Sequence, residues 1–89
     1  MNKSNITFIG GGNMAFSLIG GLIAGNCPGS NIHVSDPNQE GLASLTQQFG
    51  IQPFHANNKG AIEGADAIVL AVKPQILAEV ATEIGPMIQ

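Results

Sequence analysis

Ile6-Thr7-Phe8-Ile9-Gly10-Gly11-Gly12-Asn13-Met14-Ala15 is the stretch on which the reading of this chain turns. Its first four residues are short, β-branched or aromatic, and predict a buried strand that ends at Gly10. Beyond the glycines the period changes. Met14, Leu18 and Leu22, with Ala15, Ile19 and Ile23 beside them, recur at helical spacing. That predicts a helix from Asn13 to Ala24, stopped by Gly25-Asn26 and Pro28. Gly10-x-Gly12-x-x-Ala15 therefore fits the G-x-G-x-x-G/A pattern between a strand and a helix, the context in which that pattern has meaning. Gly10 permits the tight turn out of the strand. Gly12 has no Cβ, so a pyrophosphate can approach the backbone, and Ala15 lets the helix pack closely on the sheet. The free N–H groups and positive dipole end of the helix then bind the anion without a lysine. The bland alternative is a glycine-rich turn that holds no ligand.

Working outward, Ile32 to Ser35 alternates as a second strand and ends at Asp36-Pro37. Leu42, Leu45 and Phe49 mark a helix from Gln39 to Phe49, with Gly50 as its stop. Ile51 to Phe54 reads as a weak third strand, followed by a short helix capped by Asn57 or Asn58 and closed by Gly64. Ala67 to Val72 is apolar throughout and predicts a strand buried on both faces. Pro74 suits the first turn of a last helix carrying Ile76, Leu77, Val80 and Ile84, ended by Gly85-Pro86. Regular β-α alternation with short loops predicts an α/β fold with a parallel sheet and right-handed crossovers. The expected architecture is a partial Rossmann-type doubly wound sheet, strand order 3-2-1-4, with helices on both faces.

Composition narrows the function. The chain has 89 residues, at most one small domain. Hydrophobic residues make up 44%, there are 12 glycines, and charged residues are only 10%, which excludes disorder. Lys3, Lys59 and Lys73 are the only basic residues and the net charge is −3, so a self-sufficient nucleic-acid binder is excluded. No formal charge lies between Ser4 and Ser35, yet glycines, asparagines and Pro28 interrupt that stretch too often for a membrane span. A signal peptide is excluded because the run Ile6 to Ile9 is too short. Ala15 to Ala24 is better read as a helix buried on most of its faces. The single cysteine, Cys27, makes neither an internal disulfide nor a cysteine-based metal site, and points to a reducing, cytoplasmic compartment.

In an open α/β sheet, ligands sit beyond the carboxyl ends of the strands, at the point where the strand order reverses. Those ends are Gly10 to Met14, Asp36-Pro37, His55 to Lys59 and Val72-Lys73-Pro74. Asp36, 21 residues past Ala15, has the place of the acidic residue that accepts ribose hydroxyls, and it would repel a 2′-phosphate. It also reads as ordinary turn chemistry ahead of the next helix. Lys73 is placed for phosphate or ribose, or is a solvated loop charge. Asn58 and Lys59 lie on the side where an adenosine ribose or its 2′-phosphate would come, or Asn58 only caps a helix. His33 and His55 have no metal-ligand company, and no metal site is expected.

The segment Ile6 to Ala15, taken with Ala71-Val72-Lys73-Pro74-Gln75 after the fourth strand, strongly resembles the start of pyrroline-5-carboxylate reductase. The glycine segment is shared with hydroxyisobutyrate dehydrogenases and coenzyme-F420-dependent NADP reductases; Val72-Lys73-Pro74 is the more discriminating part. The resemblance runs over essentially all of the chain. It implies an oxidoreductase of proline biosynthesis that reduces Δ1-pyrroline-5-carboxylate with a nicotinamide cofactor. By position it carries the cofactor site to Gly10, Gly11, Gly12, Asn13, Met14, Asp36, Asn58, Ala71, Val72, Lys73 and Pro74. Several members have Ser or Thr where this chain has Asp36, and this chain has no Arg. NADP(H) stands first on the resemblance and NAD(H) second on electrostatics.

Members of that family are roughly three times as long. The resemblance therefore implies that residues 1–89 are an incomplete N-terminal NAD(P)-binding domain. The later strands and the helical domain that forms the dimer and substrate pocket lie outside it. No catalytic residue is assigned, and these residues alone are expected not to turn over substrate. The competing readings are a fragment of a β-hydroxyacid- or F420-type reductase, and a stand-alone dinucleotide sensor or interaction module. The uncharged fourth strand, left at a sheet edge, is expected to drive self-association.

Overall fold

The computed structural model describes residues 5–72 and 74–85. The chain runs β1 (Ile6–Ile9), α1 (Asn13–Ala24), a 3₁₀ turn (Gly29–Asn31), β2 (Ile32–Asp36), α2 (Gln39–Phe49), β3 (Gln52–His55), α3 (Asn58–Ile62), β4 (Ala67–Leu70) and α4 (Pro74–Ile84). All strand pairs are parallel and the order is β3-β2-β1-β4. The sequence thus predicts every helix and strand to within two residues; only the 3₁₀ turn is additional.

Local chemistry explains the boundaries. Asn38 caps α2 by accepting from the Gly41 N–H at 3.2 Å, and α2 closes at Gly50, whose N–H donates to the Thr46 carbonyl. Of the two candidate caps for α3 it is Asn57 that serves, accepting from the Gly60 N–H at 3.0 Å. Asn58 is left inside the helix with its side chain free for other work.

The order reverses after β3, so the helices divide between the two faces. On one side Phe8, Ile32 and Val34 pack with Ala15 and Ile19 of α1 and with Leu42 and Leu45 of α2. On the other, Ile9 packs with Ile62 of α3 and Val80 of α4. In-register parallel pairing puts Thr7, His33 and Ser35 on this second face. There they bind α3 through polar groups: the Thr7 hydroxyl donates to the Ala61 carbonyl at 2.6 Å, and His33 Nδ1 lies 3.3 Å from the same oxygen.

Two burial expectations are corrected. β4 is not buried on both faces: Ala67 and Leu70 are exposed, and Ile68 and Val69 are half-buried. Its apolar run reads like a central strand, but it pairs with β1 alone and lies at the sheet edge. β3, the opposite edge, carries Pro53, which suits an edge because it has no N–H to donate. Nor is α1 buried on most faces. Among its described side chains only Ala15 and Ile19 are fully buried, while Met14, Phe16 and Leu18 are exposed, because α1 meets the sheet on one side and α2 at a flank. On α4, Val80 is buried, while Ile76 and Leu77 are exposed.

Candidate functional site

The four strand ends converge on one cleft of about 590 Å³. β1 contributes Gly10, β2 leads in through Ser35 and Asp36, Ala56 follows β3, and Ala71 and Val72 follow β4. Backbone bonds past the strand ends hold them together: Gly10 N–H donates to the Ser35 carbonyl at 2.7 Å, and Ala71 N–H to the Ile9 carbonyl at 2.8 Å.

Each glycine at the start of α1 has its own environment. At Gly10 φ is +107°, and a Cβ there would lie 2.4 Å from the Ala71 carbonyl oxygen. Gly10 is therefore required by the close approach of β1 and β4 as well as by the turn. At Gly12, which lines the cleft, a Cβ would meet nothing within 4 Å. Gly12 is also the N-cap of α1. It brings no side-chain cap, and the first turn has no acidic residue. A helix start with uncapped N–H groups, opening on free space, is the donor set that a pyrophosphate needs. The residues present fit a dinucleotide.

Asp36 takes the turn role weighed for it and also stands at the cleft. Its Oδ2 accepts from the Gly11 N–H at 2.6 Å and its Oδ1 from the Asn38 N–H at 2.7 Å. The carboxylate thus ties the glycine turn to the end of β2 and shapes the entry to α2, while still lining the cleft. Asn58 reaches the cleft from α3. Its Oδ1 accepts from the buried Ser35 hydroxyl, and its Nδ2 donates to Glu83 Oε1 at 3.0 Å.

The remaining sequence candidates divide. Gly11 packs behind the turn, where a Cβ would stand 3.3 Å from Leu45 and Val34. Asn13 opens α1, and Met14, 56% exposed, projects from its first turn without lining the cleft. Pro74 begins α4. Lys73 lies outside the described residues. Lys59 is not at the cleft; it borders a separate depression with Gly60, Ile62, Glu63 and Gly64. The expectation that Lys59 joins Asn58 around a 2′-phosphate is therefore not met, because successive helix residues diverge by about 100°. Sequence reading missed Glu79 and Glu83, which line the cleft from α4. The signal was present: positions 76, 79, 80 and 83 share one helix face. Among the described residues, no group of three or more His, Cys, Asp or Glu side chains is placed to hold a metal ion, and no helix is long and apolar enough to cross a membrane.

A parallel sheet of this order, with a glycine turn, an uncapped helix start and a cleft across the strand ends, is the architecture of a Rossmann-type dinucleotide-binding domain. Residues 5–88 match the family described as coenzyme F420-dependent NADP oxidoreductase, and the chain belongs to that family. It is 42% identical over 89 residues to a pyrroline-5-carboxylate reductase of Pseudomonas aeruginosa, covering 100% of this chain and 32% of that protein. It is 41% identical over 80 residues to the one of Vibrio alginolyticus, covering 90% and 29%. The solved structure of a pyrroline-5-carboxylate reductase from Coxiella burnetii superposes with a TM-score of 0.92 at 36% identity, covering 99% of this chain and 32% of that one. The chain thus spans about a third of the length of these relatives and matches their N-terminal part. The resemblance drawn from the glycine segment and Val72-Lys73-Pro74 is borne out.

Proposed function

We propose that these residues are the cofactor-binding part of a pyrroline-5-carboxylate reductase, which reduces Δ1-pyrroline-5-carboxylate to proline. The observation that carries this reading is the uncapped start of α1 at Gly12, open to a cleft on which all four strand ends converge. The bound nicotinamide dinucleotide supplies the hydride. The N–H groups of Asn13 and Met14 hold its pyrophosphate, with Gly12 keeping the approach clear and Gly10 and Gly11 forming the turn that leads to it. Asp36 and Asn58 face the adenosine ribose. Ala71 and Val72 run beside the middle of the dinucleotide, and the resemblance adds Lys73 and Pro74 to the cofactor contacts. A cytoplasmic location belongs to the same proposal. The family description names NADP, whereas the carboxylates of Asp36, Glu79 and Glu83 along the cleft oppose a 2′-phosphate. The choice between NADP(H) and NAD(H) is therefore made at the ribose end.

Binding and turnover are expected to separate in the 89-residue chain. Hydride transfer needs the substrate carbon aligned within about 3–3.5 Å of the nicotinamide. It also needs groups for the substrate carboxylate and a donor for the ring nitrogen. The chain has no Arg and no Tyr. The relatives have about twice as much sequence again in which to supply these groups. Calorimetry should detect cofactor binding, while absorbance of the reduced cofactor stays at the background rate with fresh substrate. Oxidation proportional to protein would place the catalytic groups within these residues after all.

The partner proposed besides the cofactor is a second copy, docking along β4. That edge has no charge or proline to block strand pairing, and Leu70 is 37% exposed. Sedimentation velocity should show concentration-dependent association that Leu70→Lys suppresses. A monomer at every concentration would remove this proposal without touching the cofactor site.

A further inference from the structure

We propose that Glu83 is a specificity-determining residue of the cleft, which orients the Asn58 amide so that the ribose end accepts a free 2′-hydroxyl and rejects a 2′-phosphate. This rests on the reading of the cleft as a dinucleotide site. Three residues form a hydrogen-bonded chain into it. The Ser35 hydroxyl, 1% exposed, donates to Asn58 Oδ1, and Asn58 Nδ2 donates to Glu83 Oε1 at 3.0 Å.

An asparagine amide can turn end for end, so something must choose its direction. Ser35 does not choose, because a hydroxyl both donates and accepts. Glu83 does. Its ionised carboxylate only accepts, and a turned amide would set oxygen against oxygen at the same separation. The Asn58 donor is therefore directed at a carboxylate before any ligand arrives.

The consequence falls on the group that reaches this end of the cleft, beside Asp36 and Asn58. A sugar hydroxyl can donate to Glu83 and accept the second Nδ2 hydrogen. A phosphate can only accept, and it would meet the Glu83 charge at the donor it needs. Asp36 and Glu79 line the same cleft and add to the repulsion. Among the described residues, no lysine lines it. Glu83 thus acts twice, by its own charge and by directing the Asn58 amide.

Calorimetric titration of the wild-type chain, Glu83→Gln, Glu83→Ala and Glu79→Gln with NADH and with NADPH tests this, with the melting temperature of each ligand-free variant alongside. The wild type should bind NADH more tightly than NADPH. Both Glu83 variants should shift the ratio toward NADPH by roughly tenfold, a change of about 1.4 kcal/mol. Glu79→Gln, whose carboxylate has no bond to Asn58, should shift it by roughly threefold at most, since screened charge alone acts there. An unchanged ratio in both Glu83 variants, with NADH still bound, would overturn the assignment of Glu83 and leave the cofactor reading standing. An equal shift in Glu79→Gln would overturn the positioning role in favour of general charge. Failure of the folded wild type to bind either dinucleotide would overturn the cofactor reading, and this inference with it.

Discussion

Gly12→Val should abolish dinucleotide binding while leaving the chain folded. At Gly12 φ is −82° and ψ is −160°, extended backbone that a branched residue adopts readily. A Cβ there meets nothing within 4 Å, so the protein itself has room for the side chain. The stability change should stay within about 1 kcal/mol, the scale of an N-cap substitution. The ligand has no such latitude. The valine methyls project into the space that a pyrophosphate must enter to reach the N–H groups of α1. Each charge-assisted bond lost there is worth about 1.5–3 kcal/mol. Losing two should weaken binding by roughly a hundredfold or more. Calorimetry with either dinucleotide, beside a thermal melt, reads both halves of the expectation. Wild-type affinity in a folded Gly12→Val chain would show that the ligand does not use this turn.

Gly10→Ala should do the reverse and strike the fold. A Cβ at Gly10 would stand 2.4 Å from the Ala71 carbonyl oxygen, 2.8 Å from its carbon and 2.9 Å from Val72 Cγ1. The first two of these are backbone and cannot swing aside. The φ of +107° adds strain for any residue with a side chain. Backbone strain of about 1–3 kcal/mol and overpacking of about 1–3 kcal/mol together give a loss of roughly 2–6 kcal/mol. A chain of this length has about 4–13 kcal/mol in all, so the loss takes a large part of its stability. Urea unfolding followed by circular dichroism measures it, and a loss below about 1 kcal/mol would mean that β1 and β4 can separate at their ends. One short motif therefore carries two unlike demands: Gly10 answers to the fold and Gly12 to the ligand.

Much of the site was legible because the demands there are local. Asp36 follows its strand at the spacing the fold requires, and the structure puts its carboxylate at 2.6 Å from the Gly11 N–H. Asn58 lines the cleft, as its place after the third strand implied, although its role as a possible cap passed to Asn57. Lys59 was misplaced because one step along a helix turns a side chain away from its neighbour's surroundings. Glu79 and Glu83 were missed because they lie 43 and 47 positions from Asp36 and meet it only when α4 folds back over the strand ends.

The sequence by itself determined the elements, their alternation and the order 3-2-1-4. Periodicity, caps and glycines act within a few residues, and short connections with right-handed crossovers leave few ways to arrange four parallel strands. Burial was decided only in three dimensions. Ala67 to Leu70 has the composition of a central strand, yet its exposure depends on which strands stand beside it, and here only β1 does. Phe16 and Leu18 fall in the run that reads as mostly buried and stand in the open, because a helix buries only the side that another element covers. The hydrogen-bonded path from Ser35 through Asn58 to Glu83 is also a product of tertiary structure alone. It joins β2, α3 and α4, and only the packing of the last two helices on one face of the sheet brings its three side chains together.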